Sequence, residues 1–461
     1  MSAVFFDTIF QYGDHIALID GTIHLDYTQL DHDAKQVTAV IPPRSLVFCV
    51  CSNCIASVVG YVGFLQRRIV PVLMNTSIDQ ELFRELLARY QPGYIWCPEA
   101  FGSGEKLLAY DNYSLYATGA EAPEMDDTLA LMLTTSGSTG SPKFVRQTYR
   151  NIEANTASIV EYLNIRSEDR AITTLPMSYT YGLSIIQSHL MAGARIILTE
   201  KTVFDKEFWA LFRQQEATTF GAVPYTYQML DRLRFLQMDL PSLRYITQAG
   251  GRLGEELHRK FAESMRKQGK ALIVMYGATE ATARMSYVPT EMAVEKAGSI
   301  GIAIPGGRFE LIDIDNSVIS AVNCVGELVY YGDNVTPGYA EKREDLALGD
   351  ERNGRLETGD MAKVDADGYY FVVGRKKRFL KIYGNRVNLV EIEDLLSKVG
   401  YETACVGEDD HMRIYTTSED TGSIIGFISE KTGLNRAAFS AIHIDAIPHN
   451  ESGKVLYSEL K

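Results

Sequence analysis

Residues 134–143 read Thr-Thr-Ser-Gly-Ser-Thr-Gly-Ser-Pro-Lys, directly after the apolar run TLALML. All but the last two are Ser, Thr or Gly. Glycine lets a backbone approach a ligand closely and aim its N–H groups inward. The hydroxyls add donors and Lys143 adds a positive charge. That combination suits a polyphosphate, and makes Thr135, Ser136, Gly137, Ser138, Thr139, Gly140 and Lys143 candidate phosphate contacts. It is not the P-loop, because Gly140 is followed by Ser-Pro-Lys instead of Lys-Ser/Thr. The dinucleotide G-x-G-x-x-G is absent too. A solvated Ser/Gly linker would need neither an apolar strand before it nor a Pro-Lys ending.

Four other segments could act on such a ligand. In Tyr276-Gly277-Ala278-Thr279-Glu280 the aromatic face suits a base and the carboxylate suits a hard cation. In Thr358-Gly359-Asp360 the carboxylate can accept two hydrogen bonds from a diol. Gly374-Arg375 opens a stretch dense in Lys and Arg, and Lys454 follows the polar loop Asn450–Gly453 near the end of the chain. Each alone reads as an ordinary turn or solvated charge. No nucleophile elbow is present, since Ser138 lacks the flanking glycines of G-x-S-x-G.

These groups must be positioned by elements legible in the pattern. RSLVFCVCS, RRIVPVLMN, GYIWCP, ARIILTE, ATTFGAVP, LRYITQAG and KALIVMYG read as strands. TSIDQELFRELLARYQ and GEELHRKFAESMRKQG read as helices. Such alternation predicts an α/β fold with parallel sheets covered by helices. After about residue 295 the runs GRFELIDIDNSVI, GELVYYG and GYYFVVGR predict short antiparallel strands, with Asp367-Gly368 as a hairpin turn. The expectation is a large N-terminal domain, 1–374, with a small antiparallel barrel-like part, then a small α+β domain, 375–461. Gly326-Glu327-Leu328 and Thr336–Ala340 read as structural.

At 461 residues the chain is long enough for two or three domains, and its formal charge of -14 argues against nucleic acid or anionic lipid as partner. Cys51 and Cys54 form a C-x-x-C with no second pair to complete a zinc site. The six cysteines therefore read as reduced core residues of a cytosolic protein. The N-terminus lacks a basic region of a secretory signal, and no transmembrane run occurs. A cytoplasmic location is expected.

Taken in order over residues 15 to 461, these segments resemble the motifs of the adenylate-forming superfamily. It includes acyl-CoA synthetases, aryl-CoA ligases, firefly-type luciferases and peptide-synthetase adenylation domains. The resemblance implies ATP and Mg²⁺ as cofactors. It implies that Tyr276 stacks on adenine, with Gly277 and Gly251 also at the nucleotide. Thr279 would contact the α-phosphate and Glu280 would hold Mg²⁺. Asp360 would bind the ribose hydroxyls and Arg375 the ribose or phosphates. Lys454 would bridge the carboxylate substrate and the α-phosphate, stabilising charge in the transition state. The catalytic set is thus Lys454, Glu280 and Thr279. The C-terminal domain would turn about Lys377, bringing the Gly384 loop to line a thiol channel.

The resemblance also places the acid near Tyr179, Tyr181 and Gly250, with Tyr225 and Tyr227 as further candidates. Leu175–Arg195 contains no acidic residue. A buried substrate ammonium would lack a partner there, so a non-amino carboxylic acid is expected. The acyl group would pass from the acyl-adenylate to CoA. The alternative acceptor is the phosphopantetheine of an acyl carrier protein, favoured by the trimmed look of the last domain. Nothing in the residues favours a luciferase-type oxygenase. Lys143, Glu280, Asp360, Arg375 and Lys454 together argue against a silent scaffold.

Overall fold

The computed structural model describes residues 4–134, 143–313, 316–383, 385–449 and 455–460. The chain divides into two compact units. One joins residues 1–308 with 330–356, and the other joins 309–329 with 357–461.

The first unit holds the two large sheets. One has nine strands: 302–303, 286–287, 271–276, 245–248, 219–222, 170–172, 195–198, 16–20 and 23–26, in that order. From 271–276 to 16–20 every neighbouring pair is parallel. The other has eight: 338–340, 144–148, 129–134, 70–75, 46–51, 94–98, 113–117 and 105–110. Its central strands are parallel and its margins antiparallel. All seven segments read as strands above are strands, and the two read as helices are Gln80–Tyr90 and Glu255–Lys267.

Central parallel strands are covered on both faces and carry apolar side chains throughout, as Leu46–Cys51 does with all six residues buried. The helix Ile55–Gln66 buries eleven of its twelve residues. Its core contains Val47, Cys49 and Leu131 of one sheet and Leu18, Ile196 and Leu198 of the other, so it is a filling layer between them. A helix apolar all round belongs in such a place. Five of the six cysteines are buried, which supports a packing role; Cys324 is exposed.

The second unit carries a four-stranded sheet in the order 308–312, 326–331, 355–364, 370–375. The last two strands are antiparallel and joined at Asp367-Gly368. A hairpin of Phe379–Ile382 with Asn385–Asn388 follows. The helices Leu389–Lys398 and Thr421–Thr432 accompany a three-stranded sheet, 403–408, 411–416 and 439–443. No helix among the described residues is long and apolar enough to cross a membrane.

Candidate active site

Strand Ala271–Tyr276 ends at the turn that carries Thr279 and Glu280. Gly277 is required there by close approach. A Cβ on it would lie 2.8 Å from the carbonyl carbon of Ala283 and 2.8 Å from Cα of Arg284, and closer still to the Ala283 oxygen. The loop closes on itself at Thr282, a β-branched residue at φ 65°. That conformation is costly and persists only where the surroundings over-determine it.

They do so here. The Thr282 hydroxyl donates to Asn334 O at 2.7 Å. Gln147 donates to Thr282 O at 3.2 Å, and the Thr180 hydroxyl donates to the same oxygen. Asn334 Nδ2 donates to Ala281 O at 2.9 Å and Arg284 O at 3.0 Å, and Asn155 Nδ2 to Arg284 O at 2.8 Å. Thr336 donates twice to Glu280 O, from its amide at 2.9 Å and its hydroxyl at 3.0 Å. Asn155, Asn334 and Thr336 are nearly inaccessible to solvent. Buried, hydrogen-bonded amides such as Asn155 and Asn334 hold a backbone more firmly than an apolar contact can.

The Glu280 carboxylate is half-buried. Its Oε1 accepts from the Tyr339 hydroxyl at 2.7 Å. Tyr339 lies on Gly338–Ala340, which pairs antiparallel with Phe144–Thr148, the strand that leaves the Ser/Gly loop. That pairing brings the Lys143 ammonium 3.8 Å from the centre of the Tyr339 ring. The Arg352 guanidinium is 4.7 Å from the same ring and donates to the Thr336 hydroxyl at 2.6 Å. Burial, then the bond to Glu280, pushes the Tyr339 phenol up to about 12. It therefore stays a neutral donor at neutral pH. An acid and two cations thus meet around one ring.

Magnesium takes oxygen ligands, commonly one or two carboxylates with substrate phosphates. Glu280 Oε2 accepts no hydrogen bond from any described residue, and no group of three or more His, Cys, Asp or Glu among them could hold a metal. These donors fit a cation that arrives with a nucleotide, not one caged by protein.

The segment expected to meet the acid forms the helix Thr180–Met191, with Tyr179 as its N-cap residue. Gly250 sits at φ 83° just past strand Tyr245–Gln248. The Tyr179 hydroxyl is 2.6 Å from where a Cβ on Gly250 would stand, so the glycine makes room for it. Tyr181 packs edge-on to Tyr179 and shares a 2.7 Å hydrogen bond with Thr247. Gly251 O accepts from Gln248 at 2.9 Å. Tyr227, by contrast, is sealed in a different core with its hydroxyl on Thr247 O, and Tyr225 is about half exposed. Neither joins the Tyr179–Tyr181 group. Arg284 lies against Tyr181, its guanidinium 5.0 Å from the ring, and donates to Ser184 and Tyr162. It is buried with no carboxylate partner among the described residues.

In the second unit, Asp360 and Arg375 face each other across the hairpin. Arg375 Nε is 2.8 Å from Asp360 Oδ1, with the carboxylate buried and the guanidinium exposed. The two residues expected at the ribose and phosphates are therefore an ion pair here. Lys376 pairs with buried Glu327 at 2.5 Å. Tyr276 is half-buried at its strand end. Thr135 to Gly140, Gly384 and Lys454 lie outside the described residues, and Lys377 is described only as part of a short turn, Lys376–Arg378.

Residues 5–340 match the family model described as AMP-binding enzyme. The chain belongs to this family. It is a member of the adenylate-forming superfamily, with that superfamily's α/β fold. Curated relatives include 4-coumarate–CoA ligase-like 2 of Arabidopsis thaliana, 28% identical over 73% of this chain and 61% of that protein. Others are indoleacetate–CoA ligase of Aromatoleum aromaticum, 28% identical over 79% of this chain and 72% of its own length, and 2-succinylbenzoate–CoA ligase of Bacillus cytotoxicus, 26% identical over 85% and 83%. The chain spans about three fifths of the Arabidopsis relative. Among solved structures, O-succinylbenzoate coenzyme A synthetase of Bacillus subtilis with AMP superposes with TM-score 0.80, at 22% identity over 100% of this chain and 98% of that one. A fatty acyl CoA synthetase of Mycobacterium tuberculosis gives 0.76 at 20% identity, covering 99% and 97%.

Several side chains around the family's turn escape a reading by motif. Asn334, Thr336, Tyr339 and Arg352 are distant in sequence from Glu280. The segment Thr336–Ala340, read above as structural, does supply an edge strand, and it also brings a hydroxyl to Glu280. Its Tyr at a strand edge was the available signal.

Proposed function

We propose that this ligase activates a non-amino carboxylic acid with ATP and Mg²⁺ and passes the acyl group to coenzyme A. The observation that carries the proposal is the meeting of Glu280, Lys143 and Arg352 around Tyr339. These groups come from three separate segments, and together they offer a cation ligand and positive charge. The CoA ligases among the relatives support the same reading.

A carboxylate is a poor acyl donor because its leaving group is oxide. Attack of a carboxylate oxygen on the α-phosphorus of ATP forms the acyl–O–P bond and breaks the bond to pyrophosphate. Two anions must approach, so fixed positive charge lowers the barrier. Mg²⁺ held by Glu280 would neutralise phosphate charge. Lys143 and the loop before it would bind the phosphates, Thr279 the α-phosphate, and Lys454 the acid and α-phosphate together. Asp360 and Arg375 would take the ribose side, which requires their ion pair to open or share. Tyr179, Tyr181 and Gly250 would border the acid. A thiolate then attacks the acyl carbon and AMP leaves. Residues 375–461, turning about Lys377, would exchange Lys454 for the Gly384 loop between the two steps.

The test is pyrophosphate release with short aliphatic, long aliphatic, aryl and amino acids, alongside Glu280→Gln and Lys454→Ala. Release with non-amino acids that collapses in both variants supports the reading. Release with amino acids alone refutes the substrate class. Mass spectrometry of products with CoA and with a phosphopantetheinylated carrier protein decides the acceptor.

A further inference from the structure

The side chain of Tyr339 touches both Glu280 and Lys143. Glu280 stands on the turn after Ala271–Tyr276, which continues the nine-stranded sheet. Lys143 stands at the start of Phe144–Thr148, in the eight-stranded sheet. Nothing in either sheet's hydrogen-bond ladder ties one group to the other. The tie is made by Gly338–Ala340, held to the second sheet by its ladder. It is held further by Arg146, buried and donating to Tyr339 O at 3.0 Å and to Glu351 at 2.6 Å. From the side of the first sheet, Thr336 fixes the backbone of Glu280 itself, and Arg352 clamps Thr336.

A glutamate has three rotatable side-chain bonds, and one hydrogen bond to one oxygen removes most of that freedom. The Tyr339 hydroxyl occupies Oε1 and leaves Oε2 without a described donor. A phenol is suited to this: it orients a carboxylate without neutralising it, where a Lys or Arg would compete with a bound cation. The ring performs a second task. An ammonium over an aromatic face is attracted to it yet keeps N–H donors free for another acceptor.

We propose that Tyr339 is a positioning residue for the nucleotide site. Its hydroxyl presents one oxygen of Glu280 to the cation of the metal–nucleotide complex, and its ring face holds Lys143 for the phosphates. The proposal rests on the reading of Glu280 as the metal-side carboxylate and of Lys143 as a phosphate contact. It assigns each half of one side chain to a different part of the ligand.

The full-length protein is used, and ATP affinity is measured by calorimetry twice, with Mg²⁺ and with EDTA. The quantity read is the ratio of the two dissociation constants. Tyr339→Phe removes only the hydroxyl and is expected to reduce the benefit from Mg²⁺ about tenfold, the scale of one hydrogen bond to a charged group. Its affinity in EDTA should match the unaltered protein, which also shows that the variant is folded. Tyr339→Leu removes the ring as well and should weaken binding in EDTA too, several-fold. Mn²⁺ bound in the presence of ATP, followed by electron paramagnetic resonance, should loosen in parallel with the Mg²⁺ benefit.

Glu280→Gln separates the two levels of the reading. If it abolishes the Mg²⁺ benefit while Tyr339→Phe retains it in full, the positioning role is refuted and the metal role of Glu280 stands. If Glu280→Gln retains the benefit, the metal role fails and the proposal with it. Equal loss of affinity by Tyr339→Phe with and without Mg²⁺ marks a merely structural effect and also overturns the proposal.

Discussion

Replacing Gly277 by Ala adds one methyl group where only backbone stands. The new carbon would lie 2.8 Å from Ala283 C and Arg284 Cα. Ordinary contacts between carbons are about 3.5–4.0 Å, so the two limbs of the loop must part by about 1 Å. They are not free to part. Arg284 O accepts from both Asn155 and Asn334, and Ala283 N donates to Ala281 O at 2.7 Å. Giving up one buried bond costs about 1–3 kcal/mol, and overpacking itself costs about the same. A destabilisation of about 2–6 kcal/mol follows. Glu280 rides on this loop, and a 1 Å error in a reacting geometry costs about a hundredfold in rate. Urea unfolding and acid-dependent pyrophosphate release measure the two effects. Gly422→Ala is the matched control. Nothing stands within 4 Å of its new carbon, and the site is inside the helix Thr421–Thr432. There the same change should stabilise by about 0.5–1 kcal/mol, with turnover unaltered. Wild-type stability and turnover in Gly277→Ala would refute the close approach and the dependence of Glu280 on it.

Asn334→Ala removes the donor shared by Ala281 O and Arg284 O, and with it the oxygen that accepts from the Tyr330 hydroxyl. A loss of about 2–4 kcal/mol is expected in urea unfolding, with turnover falling more than in an equally destabilised variant remote from the loop. His189 and His258 are both buried, which pushes each imidazole down to about 4 from its ordinary 6.5. A depressed folded value means that this stability is complete above about pH 6.5 and is lost as the pH falls toward 4. Each histidine then contributes up to about 3 kcal/mol of acid destabilisation by pH 4. Urea midpoints at pH 7 and pH 5 should differ less in His258→Gln than in the unaltered protein. An unchanged difference would contradict the assignment for His258.

Legibility divided along physical lines. The strands buried on both faces were readable because a parallel sheet covered by helices demands unbroken apolar runs, as in Leu46–Cys51 and Ala271–Tyr276. Gly277 was readable as a motif member, but the reason for it, the Ala283 carbonyl pressed against it, was not. Tyr227 was legible as a tyrosine but not as a core residue. A tyrosine two residues from a half-exposed one looks alike in sequence, yet the helix Pro224–Arg232 turns it into the core.

By itself the chain's order of residues determined the local chemistry: a Ser/Gly loop ending in Lys143, a carboxylate after an aromatic strand end, and an Asp and an Arg on either side of an Asp-Gly turn. Local pattern is enough for these, because turns, strands and their ends are set within about ten residues. Only the tertiary structure decided that Tyr339, 59 positions from Glu280, would hold its carboxylate, and that Asn334 would brace a strained Thr282. Those contacts arise where separate sheets meet. No periodicity records them, since each is fixed by the packing of elements whose patterns are independent of one another.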